Sequence, residues 1–181
     1  MHADLRALIR DHVRSIPDFP KPGILFRDIT SVWKHPEAFE ACTTLFAERY
    51  ADVPIDLIVG IESRGFVIGS VLAARLGRGF VPVLKRGKLP AEVHGYEYDL
   101  EYGSDCVEIH KDAVAPGQRV LVVDDLLATG GTLLASIELL KRMGAQVAGC
   151  AVVIDLPDIG GSRRVREAGH EVFSLLEFPG H

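Results

Sequence analysis

Asparagine is missing altogether from the 181 residues, and the chain holds one tryptophan, two methionines and three cysteines. Without asparagine there is no Asn-x-Ser/Thr acceptor for N-glycosylation. Cys42, Cys106 and Cys150 are odd in number, far apart and in no metal-ligand spacing, so they fit neither a disulfide framework nor a zinc site. The apolar surroundings of Cys106 and Cys150 predict buried free thiols instead. No apolar run approaches the ~20 residues that a membrane span needs. The opening "MHADLRALIRDHVRSI" carries charge throughout and lacks the apolar core of a signal peptide, so the expected compartment is the cytoplasm. Positive charge is not in excess either: the formal net charge is -5, which counts against nucleic acid as a main partner. Two nucleotide signatures, G-x-x-x-x-G-K-[ST] and G-x-G-x-x-G, are absent, which excludes a P-loop and a dinucleotide fingerprint. A soluble single domain remains, long enough to bury roughly 70% of its unfolded surface.

Leu5, Leu8, Ile9, Val13 and Ile16 recur at helical spacing and predict an opening amphipathic helix. "PDFPKPGILFRDIT" (17–30), with three prolines and a glycine, reads as extended and irregular. A helix is expected over 35–50. A regular alternation follows: a strand at 55–61, a helix ending at Gly77, a strand at 80–85, a strand at 119–125 and a helix closed by Gly144. A strand at 146–156, a short helix at 161–169 and a last strand at 171–178 complete it. Strands apolar throughout, alternating with helices, predict an α/β fold with a mainly parallel central sheet flanked by helices. The polar, tyrosine-rich stretch 85–105 breaks the alternation. Its length suits a functional lid, and the spacing of Tyr96, Tyr98, Leu100 and Tyr102 allows a hairpin within it.

Ligands of open α/β sheets sit beyond the carboxyl ends of the strands. Two expected strands end there in polar, glycine-bearing turns that open helices: "VGIESRG" (59–65) and "VVDDLLATGGT" (122–132). In the second, Ala128, Thr129, Gly130, Gly131 and Thr132 have small side chains, so backbone N–H groups can gather around one phosphate at the positive end of the next helix. Asp124 and Asp125 stand directly before this loop, where a phosphate would repel them. The pair suits a ligand with hydroxyls beside its phosphate, such as a ribose 5-phosphate, with a divalent cation offsetting the charge. By themselves the remaining candidates are ambiguous. Arg64 reads equally as a solvated helix-start arginine, Lys85, Arg86 and Lys88 as a solvated cluster, and Glu101 as a loop carboxylate. Leu25 and Phe26 read equally as core residues, and His94 and His110 as surface histidines.

"VLVVDDLLATGGT" (120–132) resembles the 5-phosphoribosyl-1-pyrophosphate (PRPP) signature of the type I phosphoribosyltransferases. "FPKPGILFRDIT" (19–30), "GIESRGF" (60–66) and "KRGKLP…YDLEYGSDCVEIHKDA" (85–113) resemble, in the same order, the adenine phosphoribosyltransferase family, and the similarity runs over nearly the whole chain. The resemblance implies the type I phosphoribosyltransferase fold as one domain over 1–181. A small N-terminal hood (1–34) would bind the base, and a lid loop (85–105) would close over it. It further implies a homodimer, in purine salvage, that transfers phosphoribosyl from PRPP to adenine, with Mg²⁺ carried by PRPP rather than by a protein cage.

The same resemblance assigns roles. Ala128 to Thr132 would cradle the 5-phosphate, with Asp124 and Asp125 on the ribose hydroxyls. Ser63, Arg64 and Lys85 would receive the pyrophosphate, with a non-proline cis peptide at Glu62–Ser63. Glu101 would exchange a proton with adenine N7. The backbone at Leu25 would read the adenine edge beside Arg27, with Phe26 and Leu126 stacked on the two ring faces. Ser31 and Trp33 depart from the family, where proline and aliphatic residues are frequent. Two rival functions stay on the table: a phosphoribosyltransferase for another base, opposed by "FPKPGILFRDIT" and "LEYG", and a PRPP-sensing regulator, opposed by the acidic balance.

Overall fold

Strands that are apolar on both sides need cover on both faces, and the chain supplies it with helices. The computed structural model describes residues 2–100 and 103–180. Its elements run α1 (His2–His12), β1 (Arg14–Pro17), β2 (Leu25–Asp28), α2 (Thr30–Trp33), α3 (Pro36–Tyr50), β3 (Leu57–Ile61), α4 (Arg64–Leu76) and β4 (Gly79–Lys85). There follow β5 (Val93–Asp99), β6 (Ser104–His110), β7 (Arg119–Leu127), α5 (Gly131–Arg142), β8 (Gln146–Asp155), α6 (Gly161–Glu167) and β9 (Val172–Glu177). The main sheet has seven strands in the order β5-β6-β4-β3-β7-β8-β9. Strands β4, β3, β7, β8 and β9 are parallel, and the β5–β6 hairpin joins antiparallel at the β4 edge. This is the mainly parallel α/β architecture expected from the alternation.

The period-2 geometry of a strand sends neighbours to opposite faces. Ile58, Leu121 and Val123 pack with Phe46, Ile68 and Leu72 on the side of α3 and α4. Val59, Val120 and Val122 pack with Leu133, Ile137 and Leu140 on the side of α5. Each such fully buried side chain contributes roughly 1.5–3 kcal/mol. Cys42, Cys106 and Cys150 are all free and buried, and burial pushes the thiols of Cys42 and Cys150 up to about 12.

Three expectations need correction. The first helix stops at His12; Ile16 belongs instead to β1, where it faces Phe26 of β2. Pro17 explains the break, because a residue before proline is pushed away from helical backbone. The segment 17–30 is accordingly more ordered than its prolines imply, forming the second strand of a two-stranded sheet and the start of α2. Finally, the hairpin allowed within 85–105 extends beyond it: Val93–Asp99 pairs with Ser104–His110 over seven register positions. His94 is exposed, but His110 is half-buried with an Nε2 that has no hydrogen-bond partner.

Candidate active site

The carboxyl ends of β3, β4 and β7 converge on one side of the sheet, and the turns that leave them form two adjoining cavities. The first, of about 150 Å³, is lined by Asp124, Leu126 to Gly131, Thr132 and Leu133. The second, of about 340 Å³, is lined by Ile61 to Arg64, Lys85, Asp124, Asp125, Leu126 and Thr132. Asp124, Leu126 and Thr132 belong to both. Every residue expected at the phosphate, ribose and pyrophosphate positions therefore lines one continuous depression.

The loop 128–131 is shaped by its surroundings. Gly130, at φ +80°, makes the left-handed turn that caps α5. Gly161 lies against the back of the loop and donates its N–H to Ala128 O at 2.9 Å. A Cβ on Gly161 would sit 2.2 Å from that same carbonyl, so only glycine permits the approach. Arg164 donates from Nη1 to Thr129 O at 2.8 Å. With its carbonyls held from behind by α6, the loop keeps its small residues turned to the cavity, where the N-terminus of α5 favours an anion.

Asp124 and Asp125 follow the continuous buried run Val120–Val123 of β7. Asp124 accepts a hydrogen bond from the Asp125 N–H at 2.8 Å and touches α4 through Gly65, where a Cβ would meet Asp124 Oδ1 at 3.0 Å. Burial first, and the charge of Asp125 second, push the Asp124 carboxyl well above the usual carboxylate range. Arg64 Nε stands 2.7 Å from Asp125 Oδ2. That contact is one of charge rather than an aligned hydrogen bond, since this buried oxygen has no hydrogen-bond partner among the described residues. An unpaired buried carboxylate oxygen is costly, and a ligand hydroxyl would satisfy it. Arg64 opens α4 directly after the cis peptide at Glu62–Ser63.

Lys85 ends β4 and reaches across to the hairpin. Its Nζ donates to Asp105 Oδ2 at 2.5 Å and to the Tyr98 hydroxyl. Burial pulls its pKa down, but these two hydrogen bonds outweigh burial and raise it. The pull of Lys85 also holds Asp105 below its ordinary value, against the opposing effect of burial. Tyr98 in turn lies 2.9 Å from Thr132 Oγ1 in the phosphate loop. Glu62 accepts from the Lys85 N–H at 2.7 Å and pairs with Lys88. The site is thus mixed in charge, with each cation already facing a carboxylate.

Residues 28–173 match the phosphoribosyl transferase domain family. The chain is 52% identical over 180 residues to the adenine phosphoribosyltransferase of Shewanella loihica, covering 99% of both proteins. The chain belongs to the adenine phosphoribosyltransferase family. Among solved adenine phosphoribosyltransferases, that of Thermoanaerobacter pseudethanolicus superposes with a TM-score of 0.91 at 49% identity, over 96% of this chain and 99% of its own. The Saccharomyces cerevisiae adenine phosphoribosyltransferase, solved in complex with an imino-altritol bisphosphate and adenine, gives 0.89 at 39% identity, covering 96% and 99%.

Of the residues expected at the base, Leu126 lines both cavities, whereas the other three sit apart from them. Leu25, Phe26 and Arg27 lie on β2, and the link to the cavity is Arg64, whose guanidinium lies 5.3 Å from the Phe26 ring centroid. Phe26 packs edge-on against Phe19 at 5.1 Å. The Arg27 guanidinium stacks on Phe178 at 4.5 Å and donates to Ser15 Oγ at 2.6 Å, while its Nε has no partner among the described residues. Burial and nearby Arg10 lower its pKa. Ser31 ties β2 to α1: its hydroxyl donates to either the His12 carbonyl at 2.6 Å or that of Asp28 at 3.0 Å. The indole N–H of Trp33 is buried without a partner among the described residues. Glu101 lies outside the described residues, as does Tyr102; the adjacent Leu100 N–H donates to Gly103 O at 2.9 Å.

Sequence reasoning missed Tyr98, Asp105, Gly161 and Arg164. The first two lie in a stretch whose pairing partner was not recognised, and no spacing rule relates Gly161 or Arg164 to a loop over thirty residues away.

Proposed function

We propose that this chain transfers the 5-phosphoribosyl group from PRPP to adenine, giving AMP and pyrophosphate. The observation that carries the reading is the single depression in which a phosphate-shaped loop, a carboxylate pair and two cations follow one another in the order of phosphate, ribose and pyrophosphate. In this reading the loop 128–132 holds the 5-phosphate and Asp124 and Asp125 accept hydrogen bonds from the ribose hydroxyls. Ser63, Arg64 and Lys85 take the pyrophosphate. The bond from C1 to the pyrophosphate oxygen breaks and the bond from C1 to adenine N9 forms, while Glu101 accepts the N7 proton. Leu25 reads the adenine edge, with Phe26, Arg27 and Leu126 around the ring.

The paired carboxylates Asp124 and Asp125, which line the second cavity and could accept from sugar hydroxyls, suit a magnesium ion that would arrive with its substrate. When bound, Mg²⁺ would neutralise charge on the departing pyrophosphate. We further propose a cytoplasmic homodimer, with residues 1–34 as the hood and 85–105 as the closing element of one domain.

The deciding experiment supplies PRPP and Mg²⁺ with adenine, guanine, hypoxanthine or xanthine separately and follows nucleotide and pyrophosphate. Reaction with adenine alone supports the reading, because a buried edge made for one donor pattern rejects the inverted one strongly. Reaction with another base instead would overturn the hood assignment. With adenine as substrate, Glu101→Leu is expected to lower kcat about 10²–10⁴-fold while leaving PRPP binding nearly unchanged; wild-type turnover in this variant sinks the proton-transfer role.

A further inference from the structure

One hydroxyl stands between the two anion positions of the depression. Tyr98 OH is bonded to Lys85 Nζ, lies 3.2 Å from Asp105 Oδ2 and lies 2.9 Å from Thr132 Oγ1. Lys85 belongs to the expected pyrophosphate position and Thr132 to the 5-phosphate loop, so Tyr98 touches one member of each. Tyr98 and Asp105 also face each other as a register pair of the β5–β6 hairpin. From these contacts we infer that Tyr98, backed by Asp105, is a positioning residue that couples the two phosphate subsites. It acts on the pyrophosphate through Lys85 and on the 5-phosphate through Thr132. The inference rests on the functional reading given above.

The proton count makes the coupling specific. An ammonium has three N–H bonds. Two are taken by Asp105 and Tyr98, which fixes the direction of the third. The Tyr98 hydroxyl has one proton and, already accepting from Lys85, gives that proton either to Asp105 or to Thr132. A phosphate in the loop claims the Thr132 proton, because phosphate oxygens only accept. Thr132 Oγ1 is then a free acceptor, and Tyr98 turns its proton towards it. Asp105 Oδ2 is left wholly to Lys85, while Oδ1 keeps the Cys106 N–H. Loading the 5-phosphate therefore tightens the carboxylate grip on the lysine that must meet the pyrophosphate, and ties the hairpin to the loop at the same time.

The arrangement is built to survive removal of the hydroxyl alone. The Tyr98 ring packs beside Gly131, whose added Cβ would lie 3.5 Å from Tyr98 Cε2, and phenylalanine keeps that contact. Tyr98→Phe therefore tests the hydrogen bonds with little change in packing. The expected result is a rise in KM for PRPP of about 10- to 150-fold, the effect of losing a hydrogen bond to a charged group, with KM for adenine within about twofold. In a Lys85→Met background the same substitution should raise KM for PRPP clearly less, since only the contact with Thr132 is then left to lose. Asp105→Asn provides a second entry to the same cycle and should show the same dependence on Lys85. Equal rises in both KM values, or an undiminished effect without Lys85, would overturn the inference and leave Tyr98 a packing residue. If Lys85→Met alone leaves KM for PRPP unchanged, the pyrophosphate assignment itself falls, and this coupling with it.

Discussion

At Asp124 two demands conflict. The carboxylate is wanted by a ligand carrying hydroxyls and a cation, yet in the empty protein it sits beside Asp125 with little water around it, and its pKa is raised by burial and by that neighbour. A carboxyl whose folded pKa lies above its unfolded value disfavours folding wherever it is charged, and the penalty disappears as pH falls towards the unfolded value near 4. Asp124→Asn should therefore raise the melting temperature of the ligand-free protein at pH 7, by roughly 2–4 °C for each kcal/mol relieved. The advantage should shrink on acidification, and kcat/KM for PRPP should drop. Thermal scans across pH 4–8 beside a PRPP titration check both halves. A variant less stable than wild type at neutral pH would show that Asp124 is well paired in the empty site.

The loop 128–131, proposed to hold the 5-phosphate, is held in place by an element that comes after it in the chain. β7 and the turn after it are plain in the sequence, because a buried apolar strand running into two aspartates and a run of small residues has few other readings. The backing of that loop by α6 is not plain, since it depends on β8 returning parallel to β7 and delivering Gly161 beneath Ala128. The same limit applies to β6: the spacing of Tyr96, Tyr98 and Leu100 allows a hairpin, but its second strand reaches to His110 and is visible only once β5 is known to pair with it. Gly161→Ala tests the backing directly. Its methyl cannot coexist with the Ala128 carbonyl at 2.2 Å, so the loop must shift. We expect a destabilisation of about 1–3 kcal/mol, as for other overpacked sites, together with a KM for PRPP raised more than that for adenine. An unaltered PRPP KM would mean that the loop's shape is set from its own side alone.

Across the whole molecule, the expected base-binding hairpin is fastened at two places far apart in sequence. α1 and β2 lean on the last strand: Arg10 donates to Glu177 O at 3.2 Å, and both Arg10 and Arg27 lie over the Phe178 ring, at 4.7 and 4.5 Å. Cation–π contacts of this kind contribute about 0.5–2 kcal/mol. Phe178→Ala is thus expected to raise KM for adenine about 3- to 30-fold while sparing PRPP, measured by varying each substrate against saturating levels of the other; a PRPP defect of equal size would contradict a local role. The arrangement also orders events during translation. The segment expected to read the base is made about 150 residues before the ring on which Arg27 rests, on the order of ten to thirty seconds at ordinary elongation rates. In between, β3, β4, β7 and their helices are made. A nascent chain would therefore own its expected phosphate-binding turns before its expected hood is fastened, and selectivity for the base would follow them.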